Sequence, residues 1–292
     1  MTRIISIQSQ VLFGHVGNSA AVPAMRIHGA EVTAVPTTLL SNHPHYPSMR
    51  GRLLEPELVA DLLLGVEERG LVDEAAVLVT GYMGRPETGD VVAGFVERAL
   101  RRNPKLLYVC DPVLGDDDLG GFTDPALLEV FRERLVPLAA VATPNGWEAR
   151  LLAGVGEGAA GLELLAALRG AGFRDMVVTG GSASGERLRA LVLDGVEASA
   201  VETARLPVRP AGTGDFFTGV LAAELAEGAA LPAAAARAMA VTFAMLERTP
   251  LAPWAEMPVE TALADVLAAA PALRPESIGG LSQISAEGRG LA

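Results

Sequence analysis

A chain of 292 residues, half of them hydrophobic and only 4% aromatic, builds its core from Ala, Val and Leu, in one large α/β domain or two modest ones. It has no run of about 18 or more apolar residues, which excludes a membrane-spanning helix, and its one cysteine, Cys110, excludes an internal disulfide and points to a reducing cytoplasm. A net charge of −12 argues against nucleic acid as a partner but not against a nucleotide: charge beyond a Debye length of roughly 8 Å is screened, and an acidic chain that binds polyphosphate brings Mg²⁺ with it.

Strands and helices alternate from the start. Met1 to Ile7 is too short for a secretory h-region, and Ile4–Gln8 reads as a strand. Asn18–Gly29 is an amphipathic helix complicated by Pro23, and Glu31–Thr37 a second strand. The turn-rich loop Leu40–Pro47 follows, then a helix over Glu55–Arg69 with Pro56 in its first turn, and a strand over Ala75–Thr80. Next come a helix over Gly89–Arg102, a strand over Lys105–Cys110, an acidic loop over Asp116–Gly121 and a helix over Pro125–Arg134. A strand over Ala139–Ala142 precedes helices over Trp147–Leu152 and Leu162–Gly170. Met176–Thr179 is a strand, and Leu188–Leu193 with Val196–Thr203 is a hairpin about Asp194-Gly195. The last helices span Asp215–Glu227, Leu231–Leu246 and Pro258–Ala269, and residues 274–292 read as a flexible Gly- and Ser-rich tail after a single domain over residues 1–273. Apolar strands alternating with helices predict a mostly parallel sheet covered on both faces, a three-layer α/β/α sandwich.

In such sheets ligands bind beyond the carboxyl ends of the strands. The unusual polar residues gather there: Ser9, then Ser41 to His43, Tyr82, Asp111, Thr143 with Asn145, Thr179, and last Gly212-Thr213-Gly214-Asp215. Asp111 and Glu148 are the metal candidates, because few oxygen ligands completed by water suit Mg²⁺. Asn145, three residues before Glu148, lies on the same helical face, so one cation could see both. Taken singly, Asp111 is as readily a turn residue before Pro112, and Glu148 an exposed charge in a helix first turn. Gly212 to Asp215 opens a helix, where unpaired N–H groups and the helix dipole attract an anion. Asp215 can cap that helix or take a proton from a substrate hydroxyl, and an anion hole beside a carboxylate is equipment for phosphoryl transfer to an alcohol.

The runs Ile5-Ser6-Ile7-Gln8-Ser9, Gly14 to Ala21, Ser41-Asn42-His43, Gly81-Tyr82, Cys110 to Asp116, Thr143-Pro144-Asn145 with Glu148, and Gly212 to Asp215 resemble, in order, those of pyridoxal kinases. The resemblance implies a ribokinase-like fold, a cytoplasmic homodimer, and ATP-dependent phosphorylation of the 5′-hydroxymethyl group of pyridoxal, pyridoxine or pyridoxamine. It implies Asp215 as general base, with the Gly212, Thr213 and Gly214 amides facing the transferring group. It puts Ser9, His43 and Tyr82 on the vitamin. Asp111, Asp116, Asn145 and Glu148 then serve Mg²⁺ and the phosphates, with Thr143, Thr179 and Thr213 near the nucleotide and a monovalent cation such as K⁺. Asp116 to Phe122 corresponds to the flap. Gln10, Leu40 and Pro44 depart from the family's pattern and point to an altered acceptor preference. The rival is hydroxymethylpyrimidine kinase, whose members usually carry Cys where Asp215 stands; a non-catalytic vitamer-binding protein is the reading from another class.

Overall fold

A computed structural model describes residues 1–182 and 185–281. In its first half the elements are β1 (Arg3–Val11), α1 (Asn18–Ile27), β2 (Glu31–Leu40), β3 (Gly51–Leu53), α2 (Pro56–Glu68), α3 (Leu71–Glu74), β4 (Ala75–Thr80), α4 (Pro86–Arg102) and β5 (Leu107–Cys110). A two-stranded ribbon, β6 (Gly115–Asp116) and β7 (Gly120–Gly121), precedes α5 (Leu127–Val130) and β8 (Val141–Ala142). The second half runs through α6 (Gly146–Ala153), α7 (Gly161–Gly170), β9 (Asp175–Ser182), β10 (Arg187–Asp194), β11 (Glu197–Ala204), α8 (Thr213–Ala226), α9 (Leu231–Glu247), α10 (Val259–Ala269) and β12 (Glu276–Gly280).

One ten-stranded sheet has the order β12-β11-β10-β9-β8-β5-β4-β1-β2-β3. Its centre, β9-β8-β5-β4-β1-β2, is parallel, and both edges are antiparallel. Side chains alternate between the two faces. Ile5, Ile7, Leu78, Tyr108, Cys110, Met176 and Val178 join one core with α2 to α7. Ile4, Val77, Val79, Val109 and Val177 join a second with α1, α8, α9 and α10. This is the expected three-layer sandwich. Each fully buried Val, Leu or Ile on these strands contributes roughly 1.5–3 kcal/mol, which is why apolar runs on both faces hold the sheet's centre.

Several boundaries differ from those read in the sequence. Helix α4 starts at Pro86, three residues before Gly89, because proline at a first helical position needs no N–H acceptor. The segment Pro125–Arg134 is only partly α-helical: α5 passes into a π-helical turn over Phe131–Leu135. Pro23 sits inside α1 without ending it. The expected tail is corrected at Glu276–Gly280, which pairs with β11 from Glu197↔Gly280 to Ala200↔Glu276. Gly279 and Gly280 hid this strand in the sequence; the unpaired edge of β11 creates it. Residues 282–292 of that tail lie outside the described residues.

Candidate active site

The carboxyl ends of the parallel strands converge on the start of α8. That helix begins at Thr213, two residues earlier than expected, with Gly212 at its N-cap and no side-chain cap. Asp215 is therefore the third helical residue, and its carboxylate is not used as a cap. The Thr213 hydroxyl donates to the Pro210 carbonyl (2.9 Å) and anchors the turn from behind. Gly214 is exposed with open space over it, so the first amides of α8 face a region that a ligand can reach.

Two glycines make this approach possible. Gly212 has φ +78°, and a Cβ there would lie 1.7 Å from the His15 carbonyl oxygen. Gly17 has φ +53°, and a Cβ there would lie 2.2 Å from Ser9 Oγ. The turn Gly14–Gly17 is thus pressed between the end of β1, where Ser9 is buried, and the start of α8. The Gly17 N–H donates to the Asp215 carboxylate. Burial pushes the Asp215 carboxyl up to about 6, against the lowering effect of that N–H.

Asp111 follows β5 and is buried, not a solvent-facing turn residue. Its Oδ2 accepts from Thr218 Oγ1 (3.2 Å), which lies 3.0 Å from Thr143 Oγ1. Burial, then the charges of Glu148 and Asp215, push Asp111 well above the usual carboxylate range. Glu148 is likewise buried, contrary to an exposed first-turn charge, and burial pushes it up to about 7 despite three backbone N–H donors. Its Oε1 accepts from Leu114 N (2.9 Å) and Gly115 N (3.4 Å), and its Oε2 from Asn145 N (2.8 Å). Asn145 Oδ1 accepts from Glu148 N (2.9 Å), closing a capping box at α6, while its Nδ2 donates to the Gly115 carbonyl (2.7 Å). The spacing that suggested one cation shared by Asn145 and Glu148 is taken up by this box.

These carboxylates, buried close enough for Glu148 and Asp215 each to raise Asp111, fit a divalent cation: like charges out of water need a counter-ion. No group of three or more His, Cys, Asp or Glu among the described residues forms a ready cage, and an ion that keeps several waters, as Mg²⁺ does, suits such a site.

The remaining expected residues divide. Tyr82 is half-buried, its phenol raised by burial, with its carbonyl accepting from Thr37 Oγ1 (2.6 Å). Thr179 bridges to Asn145 and donates its N–H to the Pro144 carbonyl (3.0 Å), beside the Thr143 segment. Asp116 Oδ1 accepts from Asp118 N (3.0 Å) and Leu119 N (2.6 Å), so it caps its own loop. That loop is held by Arg150 on Asp117 (2.7 Å) and by Arg209 on Asp118, and Trp147 lies against it near Gly121. His43 is buried, with Nε2 on Glu256 Oε1 (2.9 Å). It lines a cavity of about 130 Å³ with Arg209, Pro210 and Ala211, just ahead of Gly212. Gln10 does not face that cavity. Its Nε2 donates to Ser19 Oγ (2.7 Å), and it lines a separate 560 Å³ cleft beside α1.

Sequence reasoning missed Thr218 and Glu256. Thr218 stands three residues after Asp215 on the same helical face, and that spacing was the available signal. Glu256 sits in the turn between α9 and α10 and carries no local signal.

A family model described as phosphomethylpyrimidine kinase matches residues 57–257. The chain is 36% identical over 259 residues to the pyridoxine/pyridoxal/pyridoxamine kinase of Bordetella avium, covering 87% of this chain and 88% of that protein. It is 39% identical over 252 residues to the pyridoxal kinase PdxY of Rubrobacter xylanophilus, covering 84% and 87%. The chain belongs to the pyridoxal kinase family. Among solved structures, pyridoxal kinase from Leishmania donovani in complex with ADP and pyridoxamine superposes with a TM-score of 0.86 at 25% identity, over 95% of this chain and 100% of that one. Pyridoxal kinase from Trypanosoma brucei gives 0.82 at 26%, over 95% and 99%. The sandwich of this pyridoxal kinase family member is therefore ribokinase-like.

Proposed function

We propose that this pyridoxal kinase family member uses ATP to phosphorylate the 5′-hydroxymethyl group of pyridoxal, pyridoxine or pyridoxamine. The observation that carries the reading is the start of α8: open amides beside an Asp215 carboxylate that burial brings to about 6 and that no cap consumes. Relatives named as kinases of these vitamers, and a neighbour in complex with ADP and pyridoxamine, support it.

The hydroxyl oxygen attacks the γ-phosphorus in line with the bond to the β-phosphate oxygen. One O–P bond forms, the other breaks, and ADP leaves. Asp215 accepts the hydroxyl proton as the new bond forms. The amides of Gly212 to Asp215 face the charge on the transferring phosphoryl group. Ser9, His43 and Tyr82 hold the acceptor. Thr218 and Thr143 steady Asp111, and Glu148, through the capping box with Asn145, fixes the Gly115 end of the flap. Asp116, by capping its own loop, shapes the flap over the phosphates. Asp111 and Glu148 would hold Mg²⁺, which would neutralise charge on the phosphate oxygens. Thr179 and Thr213 border the nucleotide, with K⁺ as the monovalent cation of this reading. A cytoplasmic homodimer belongs to the same reading. Sedimentation reads the dimer directly, and no helix among the described residues is long and apolar enough to cross a membrane.

The deciding experiment measures ADP release with each vitamer and with hydroxymethylpyrimidine, with products identified by mass. A 5′-phosphorylated B6 vitamer is expected. The family model's description makes the pyrimidine kinase the second reading, and turnover of hydroxymethylpyrimidine alone would install it.

A further inference from the structure

Glu256, which no sequence motif marks, gathers as many hydrogen-bond donors as the buried Glu148. Its Oε1 accepts from His43 Nε2 (2.9 Å) and the Tyr46 hydroxyl (2.8 Å), and its Oε2 accepts from the His15 backbone N–H (3.0 Å), with His15 Nδ1 at 3.4 Å. The carboxylate is mostly buried, at 16% side-chain exposure, and Gly14 lies so close that a Cβ there would meet Glu256 Oε1 at 2.6 Å. Burial alone would raise the Glu256 carboxyl, but hydrogen bonds from His15, His43 and Tyr46 outweigh it and hold the group far below the ordinary carboxylate range. Tyr46 is pushed up to about 12, by burial and then by Glu256, so it remains a donor. An ionised carboxylate only accepts, which places the His43 proton on Nε2. His43 Nδ1 is buried without a hydrogen-bond partner among the described residues, in a side chain that lines the 130 Å³ cavity ahead of Gly212.

The partners come from two loops. His43 and Tyr46 belong to the loop after β2; His15 belongs to the turn whose carbonyl touches Gly212 and whose Gly17 N–H donates to Asp215. Charge-assisted hydrogen bonds to a half-buried carboxylate are strong, unlike exposed ion pairs. Glu260 supplies the contrast: it meets His15 Nε2 at 2.7 Å from outside, at 71% exposure, and reaches neither His43 nor Tyr46.

We propose that Glu256 is a positioning residue for the acceptor: it holds His43 and Tyr46 of the loop after β2 in register with the Gly14–Gly17 turn that seats Gly212 and Asp215. The proposal rests on the kinase reading for what the acceptor is. It assigns to Glu256 an effect on the vitamer that is exerted through His43 and that spares the nucleotide.

The test compares Glu256→Gln, Glu260→Gln, His43→Gln and the double variant Glu256→Gln/His43→Gln. The readouts are steady-state kinetics with pyridoxal and ATP, and calorimetric binding of pyridoxal. Glu256→Gln is expected to raise KM and Kd for pyridoxal about tenfold, the effect of losing roughly one charge-assisted hydrogen bond, with the ATP KM unchanged. Glu260→Gln is expected to behave as wild type, and the double variant to be no worse than His43→Gln alone. Unchanged pyridoxal binding in Glu256→Gln, an equal rise in both KM values, or multiplying losses in the double variant would each overturn the proposal. Should the wild type bind pyridoxal but phosphorylate no vitamer, the kinase reading fails and the calorimetry still decides the role of Glu256. A wild type that does not bind pyridoxal at all overturns both.

Discussion

Asp215 is set by two opposing effects: burial raises its carboxyl and the Gly17 N–H lowers it, leaving it at about 6. A base there is ionised at neutral pH and still strong enough to take a hydroxyl proton in the transition state. In this reading the working form is the ionised one, so kcat/KM is expected to fall by about tenfold or more per pH unit once the pH drops below about 6. Asp215→Asn is expected to lower kcat by about 10²–10⁴-fold, and an Asn variant with wild-type turnover would remove Asp215 from the mechanism. The same shift has a stability consequence of opposite sense. The folded value lies above the unfolded value of 3.8, so the fold disfavours the ionised form, and that penalty is present above about pH 6. It is relieved as pH falls through about 6 towards the unfolded value. Asp215→Asn is therefore expected to melt higher than wild type at about pH 8, the gap closing by about pH 4. Thermal melts of both proteins across that window check the sign.

At the scale of the element, α8 depends on a glycine that brings no side chain. Gly212 is the N-cap in the left-handed region, seated on the His15 carbonyl. Gly212→Ala forces a Cβ into a backbone oxygen and strains φ at once. It is expected to cost about 2 kcal/mol or more and to lower kcat together with stability, because the amides of the turn move. Urea unfolding alongside kinetics measures both, and an alanine variant of unchanged stability would mean that the turn yields freely. Deeper in the helix, Gly219 lets α8 lie against the backbone of Ala21 in α1, where a Cβ would meet Ala21 at 2.8 Å. Helix α1 begins just after Gly17, so the helix that bears Asp215 and the turn that contacts it are held by one close packing. The motif was legible in the sequence, but the start of α8 was misplaced by two residues, because Asp215 resembles a cap and Gly212 offers no side chain to read.

At the scale of the whole molecule, the sheet's parallel centre brings the ends of β1, β4, β5, β8 and β9 to one side, and its antiparallel edges close it off. Strand β12 covers the edge of β11 and sets Ile278 against the core. Ending the chain at Pro275 is expected to leave the candidate site, which β12 does not line, intact while exposing β11 as an open edge. A lower melting temperature and concentration-dependent aggregation with near-wild-type kcat are the expected outcome, read by melting and light scattering. Loss of activity in a fully monodisperse truncation would show that β12 serves the site instead.

By itself the sequence determined the sandwich, the run of polar residues at strand ends and the Gly-Thr-Gly-Asp turn, because apolar alternation, turn chemistry and helix starts are local properties of neighbouring residues. Thr218 was within its reach through helical spacing. Only the tertiary structure decided that Asp111 and Glu148 are buried beside Asp215, and that Glu256 gathers His15, His43 and Tyr46. Those facts depend on which distant segments the packed helices bring together. Burial then sets the acidity and the partners of each group, and no spacing along the chain encodes it.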